Sequence, residues 1–164
     1  MQYDQRDANG LDDVNDVEHQ YADVLALLAR RGYIAGVSDT GGGCLAIEIA
    51  IGDSYRLLAT DKDELLAEER VQHKGWRVGL YGETDSLAEL SSNDGSADEL
   101  VKLIGQFDDH IVNKVGTYVM LAARHPGAPD WQKQVDALWS YCSTTGRVDI
   151  YRQGYQKAEQ ALGL

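Results

Sequence analysis

The sequence predicts an α+β fold: an N-terminal helix, a three-stranded antiparallel meander, and a C-terminal three-helix group packed on one sheet face. Three observations carry that expectation. Residues 45–51, LAIEIAI, alternate with a period of two and are rich in isoleucine, as a half-buried strand requires. Residues 97–162 hold stretches whose apolar side chains recur at helical spacing. Between them, GETDSLAELSSNDGS at 82–96 is polar and small, which suits a linker.

Residues 1–14 read as a polar arm broken at Asn9-Gly10, and 15–164 as a single α+β domain. Within it, 15–81 carries helix and meander, 82–96 the linker and 97–164 the helical part. The first helix starts at Asn15 or Asp16 and runs to Arg31, with Val17, Tyr21, Val24, Leu25 and Leu28 on its apolar face. Asp16 and Glu18 in the first turn and Arg30 and Arg31 in the last match the helix dipole, and Gly32 ends the helix. The first strand turns Leu45, Ile47, Ile49 and Ile51 one way and Cys44, Ala46, Glu48 and Ala50 the other. Gly52-Asp53 leads into a second strand at 55–60, and Asp61-Lys62-Asp63-Glu64 reads as a solvated turn. Residues 65–74 fit a short helix or an irregular strand equally, and Trp76, Val78 and Leu80 mark a third strand.

The linker is expected to hold a short helical turn at 86–90. Ser96 and Glu99 form a capping box that opens a central helix reaching Arg124, where Pro126 restricts His125. Lys114 falls inside the apolar stripe of that helix, which calls for snorkelling or for a break near Asn113 assisted by Gly116. Pro129 opens the next helix, with Trp131, Val135, Leu138, Trp139 and Cys142 on a core-facing stripe. After Thr144-Thr145-Gly146, a last helix lines up Val148, Tyr151, Tyr155, Ala158 and Leu162.

Composition narrows the function classes. The 164 residues carry a net charge of −12, with 43% hydrophobic and 26% charged residues, close to globular norms. The acidity is confined to the first 99 residues. Residues 1–23 hold seven acids against one base, and residues 48–99 hold thirteen against five. Residues 100–164 hold six acids and seven bases. Such a field repels phosphate backbones, so direct nucleic-acid binding is disfavoured and a basic partner is favoured. The longest apolar runs are too short to cross a bilayer, and the acidic start does not resemble a secretory signal. Cys44 and Cys142 form no disulfide framework and read as reduced thiols of a cytoplasmic protein.

Chemical motifs are weak throughout. Asp39-Thr40-Gly41 matches the tripeptide of an aspartic-protease turn, but that chemistry needs two such turns sharing a proton. Gly41-Gly42-Gly43 precedes a strand, where a phosphate loop would precede a helix, so it reads as a flexible entry with Asp39 as a turn residue. The four histidines lack ligand spacing, and neither a metal nor a cofactor is expected. No catalytic residue is assigned. The order GGGC-LAIEI, YRLLATD, GWRVGLY over residues 40–82 resembles small uncharacterised proteins of actinobacteria and their phages. The resemblance implies a phage or mobile-element accessory protein acting inside a bacterial cell.

The function expected is that of a non-enzymatic acidic interaction protein that binds a host protein and is able to form a homodimer. Its contact residues would be Asp12, Asp13, Asp16, Asp61, Asp63 and Glu64 for the field, and Tyr151 and Tyr155 for aromatic anchorage. One alternative is an acidic nucleic-acid mimic that occupies a DNA-binding protein. Another is a small-molecule-binding protein or enzyme with a pocket between sheet and helices, for which Glu48, His110 and Lys114 are the candidates.

Overall fold

The computed structural model describes residues 14–62, 65–83 and 86–164. It is an α+β structure with a five-stranded antiparallel sheet and, among the described residues, six helices. The helices are α1 (14–20), α2 (Ala22–Arg30), α3 (Ala97–Gly105), α4 (Asp108–Arg124), α5 (Pro129–Thr144) and α6 (Val148–Leu162). The strands are β1 (Ala35–Asp39), β2 (Leu45–Ile51), β3 (Tyr55–Thr60), β4 (Trp76–Tyr81) and β5 (Ser86–Ser92), and each pairs with the next in sequence.

The meander therefore has two strands more than expected. β1 reads AGVSD, with one buried side chain, Val37, and is too short to show a period. β5 reads SLAELSS, whose leucine, alanine and glutamate favour a helix locally. Pairing with β4 overrides that preference, because Val78 opposite Leu90 and Leu80 opposite Ala88 extend the buried row. The segment taken for a linker is thus an edge strand, and the helical turn at 86–90 is not formed. At the other edge Glu18 accepts the Val37 N–H at 3.3 Å, so a carboxylate caps part of β1.

The first helix bends at Tyr21, which leaves helical dihedrals (φ −101°, ψ 23°) while the backbone bonds on either side persist. Residues 65–74 resolve as irregular chain with a 3₁₀ turn at Arg70–Gln72. The central helix expected over 97–124 is two helices, divided at Gln106 and Phe107, with Phe107 buried at the corner. The division follows Gly105, and it lets the apolar faces of both pieces reach one core. No break occurs near Asn113: α4 is continuous through Lys114 and Gly116. Ser96 caps α3 by accepting the Glu99 N–H, but Glu99 turns away to accept the Ser92 hydroxyl, so the box closes on β5.

The core is the inner sheet face. Ile47, Ile49 and Ile51 of β2, Leu57 and Ala59 of β3, and Trp76, Val78 and Leu80 of β4 are buried against Leu28, Leu100, Ile104, Phe107, Ile111 and Leu138. Behind them α4 crosses α6 at closest approach. A Cβ at Gly154 would stand 2.6 Å from the Val112 carbonyl and 2.7 Å from the Val115 Cβ, and one at Gly116 would stand 3.2 Å from the Gly154 carbonyl. Gly116, read from the sequence as an aid to breaking the helix, is instead where the second helix lies down.

Gly154→Ala is therefore expected to destabilise the protein by about 1–3 kcal/mol through overpacking. Gly116→Ala, with more room and a gain in helix propensity, is expected to cost less. Urea denaturation of the two variants checks the order.

Candidate functional site

Charged residues nominated from the sequence do not converge. Asp12, Asp13, Asp63 and Glu64 lie outside the described residues. Asp16 is exposed on α1. Glu48 lies on the outer sheet face and accepts from Arg56 Nη1 at 3.3 Å. His110 is exposed on α4, its ring 6.3 Å from Phe107. Glu48 is thus apart from the other two, and His110, one turn before Lys114 on α4, does not line the cleft that Lys114 lines. The Asp39-Thr40-Gly41 segment is the loop of the β1–β2 hairpin: Asp39 accepts the Gly41 N–H at 2.8 Å, and Gly41, Gly42 and Gly43 all have positive φ.

Asp61 corrects the reading of a solvated turn, because it is 7% exposed. One oxygen, Oδ1, accepts the backbone N–H groups of Lys62 (2.9 Å), Gly75 (3.1 Å) and Lys74 (3.2 Å), pinning the far end of the irregular loop to β3. Burial works to raise its pKa, but these donors and nearby His73 outweigh burial and hold it below the ordinary carboxylate value. His73 is also 7% exposed, and its ring centroid lies 4.0 Å from that of Trp76. Tyr21 donates its hydroxyl to the Ala67 carbonyl at 2.8 Å, so its oxygen accepts from His73 Nδ1 at 3.1 Å. Nε2 is then the unprotonated nitrogen, buried without a partner among the described residues. Arg70 covers the group, 5.6 Å from the Tyr21 ring and 5.9 Å from the Trp76 ring, with Asp23 as its ion partner. Burial and Arg70 push the His73 pKa down to about 4 against the pull of Asp61 and Asp23, and burial pushes Tyr21 up to about 12.

A second polar knot closes the helical end. Arg147 Nε donates to Asp108 at 2.8 Å and Nη1 to the Thr145 carbonyl at 3.2 Å, while its guanidinium lies 5.1 Å from the Tyr33 ring. It ties the start of α4 to the α5–α6 turn and to the chain entering β1. Beneath it Cys142 is fully buried, and burial pushes its thiol up to about 11.

Two aromatic groups remain, and both involve α5. Tyr55, Tyr118 and Trp131 line a cleft of 290 Å³ between the β3 end of the sheet, the β4–β5 turn and helices α4 and α5. The Tyr55 and Tyr118 hydroxyls are 2.6 Å apart, the Tyr118 and Trp131 rings stack at 6.0 Å, and Lys114 Nζ lies 5.3 Å from the Tyr55 centroid. Lys114 therefore snorkels, its stem in the apolar stripe and its ammonium on an aromatic face. Two turns further along α5, Trp139 is 44% exposed and meets Tyr151 edge-on at 5.0 Å. Tyr151 in turn faces Tyr155, itself 43% exposed, at 6.2 Å. Trp139 was expected in the core. Its stripe is wider than the surface α6 covers, so the end of the stripe stays in water.

No protein-family model, curated protein or solved structure matches this chain.

Acid should loosen the His73 group. The unfolded histidine titrates near 6.5 and the folded one near 4, so the unfolded state gains a proton first and stability falls as pH drops through that window. Between pH 7.5 and 5 the loss amounts to about 2 kcal/mol. Urea midpoints across that range should show it, and His73→Gln should flatten the slope. In a thiol assay with Ellman's reagent, half-buried Cys44 should react in the native state and Cys142 only after denaturant is added.

Proposed function

We propose that this chain is a non-enzymatic interaction protein, an accessory factor of a phage or mobile element that engages a host protein through the α5–α6 face. One observation carries the reading. Trp139, Tyr151 and Tyr155 are held ring against ring at the surface, with two of the three more than two-fifths exposed. Large aromatics fixed in water are the residue type that anchors protein interfaces, because their burial on binding is worth much and little rotamer freedom is lost. The partner's contact surface is basic. Asp136 stands close enough to Tyr151 for its charge to help raise the phenol pKa, after burial and Tyr155, so a carboxylate accompanies the rings. An arginine or lysine from the partner would meet an aromatic face and an acid together. The net charge of −12 adds long-range attraction for such a surface.

The nucleic-acid mimic draws less support. On the outer sheet face Glu48 is matched by Arg56 and Glu89 by Arg77, at 3.3 and 3.1 Å, which breaks up any row of free negative charge there.

Capture from actinobacterial lysate at moderate salt tests the proposal. The Trp139→Ala/Tyr155→Ala variant should melt like the parent, since both residues are half in water, yet retain about tenfold less of the captured partner. Equal capture by parent and variant, or capture insensitive to Asp136→Lys, would overturn it.

A further inference from the structure

The Tyr55–Tyr118–Trp131 cleft is distinct from that face and has its own chemistry. Tyr55 of β3, Gly82 and Glu83 after β4, Lys114 and Tyr118 of α4 and Trp131 of α5 all contribute to it. Lys114 and the tyrosine pair supply donors to it. Lys114 has no carboxylate partner among the described residues; its ammonium rests on the Tyr55 ring. Of the two phenol protons in the Tyr55–Tyr118 pair, one is spent in the 2.6 Å bond between them and the other is left over. Burial and the bond to Tyr55 hold the Tyr118 phenol above its ordinary pKa, so the Tyr118 hydroxyl keeps its proton at neutral pH. The Trp131 indole presents a π face and an N–H, and Gln134 adds an amide beside it. The two acids of the lining, Glu83 and Asp130, are exposed, and the Glu83 charge adds to the rise at Tyr118.

This arrangement selects by charge. A cationic ligand would seek the aromatic faces, but Tyr55 already carries the chain's own cation, and a second positive charge would be repelled. An anion supplies the counter-ion that Lys114 lacks. The volume lies near the lower end of small-molecule sites, which run from about 300 Å³ upward, so the ligand has about one ring. We propose that the cleft binds a small planar aromatic carboxylate, with its ring against Trp131 and its carboxylate between Lys114 and the free tyrosine proton.

The test uses the full chain, isotopically labelled, titrated with sodium benzoate and separately with benzylammonium chloride, which carries a similar ring and the opposite charge. The indole N–H signal of Trp131, assigned with Trp131→Phe, is the readout. Benzoate should shift it saturably below about 20 mM, and benzylammonium should not. Lys114→Met should weaken benzoate by about tenfold or more, as loss of a charged hydrogen-bond donor requires, and Lys114→Arg should keep most of the affinity. Trp139→Ala should leave the titration unchanged, which separates this site from the α5–α6 face. No saturable shift, equal response to the two probes, or undiminished binding by a folded Lys114→Met would overturn the proposal. Should Lys114→Met not fold, the comparison of benzoate with benzylammonium on the parent decides it.

Discussion

Val37, Ile47, Ala59, Val78 and Leu90 stand in register across the five strands, one from each, and keeping that row dry is the constraint on which the remaining structure depends. A fully buried isoleucine or valine contributes roughly 1.5–3 kcal/mol, and an open sheet supplies cover on neither face by itself. The helices must therefore come to the row. Helix α2 lies beside β1, and α3 lies over β4 and β5. The corner at Phe107 then redirects the chain so that Ile111 and Val115 of α4 reach the same core. A straight helix over 97–124 would carry part of its apolar stripe away from the sheet.

Covering the row creates polar debts at its ends, and each is met by a buried side chain. At the loop end Asp61 gathers three backbone N–H groups that the irregular chain leaves unpaired. At the helical end Arg147 joins Asp108, the Thr145 carbonyl and the Tyr33 ring. Both knots carry shifted pKa values, as functional sites do, yet the Asp61 carboxylate and the Arg147 guanidinium are paired within the fold. Two buried polar atoms are unpaired among the described residues, the Tyr33 hydroxyl and His73 Nε2, and the cost of the second appears as sensitivity to acid.

Helix α5 is the element through which the two binding surfaces are related. Its core stripe, Val135, Leu138 and Cys142, fixes its rotation against the sheet and α4. With that rotation set, Trp131 falls over Tyr118 and Trp139 falls toward α6. Tyr55 and Tyr118 thus meet in a cleft with Lys114, and Tyr151 and Tyr155 meet on the surface accompanied by Asp136. Their shapes suit different partners, a small ligand for the first and a protein surface for the second.

The amino-acid pattern alone determined the α+β class, β2, β3 and β4, the ends of α5 and α6, and the N-cap at Ser96, because period, turn residues and caps are local properties. It also marked Lys114 as out of place on its helix, and Tyr151 and Tyr155 as sharing a face. Tertiary structure decided the rest. β1 and β5 are strands because a neighbour offers a ladder, although neither has much pattern of its own. Gly116 reads as an aid to breaking its helix until α6 lies down there, where Gly116 and Gly154 both leave room by having no side chain. Asp61 is 13 and 14 residues from the Lys74 and Gly75 N–H groups it holds, His73 is 52 from Tyr21, and no local signal spans those gaps. Tyr55 and Tyr118 lie 63 residues apart and Lys114 is separated from Tyr55 by nearly as many, so the cleft exists only where chain crossing and core packing bring them together.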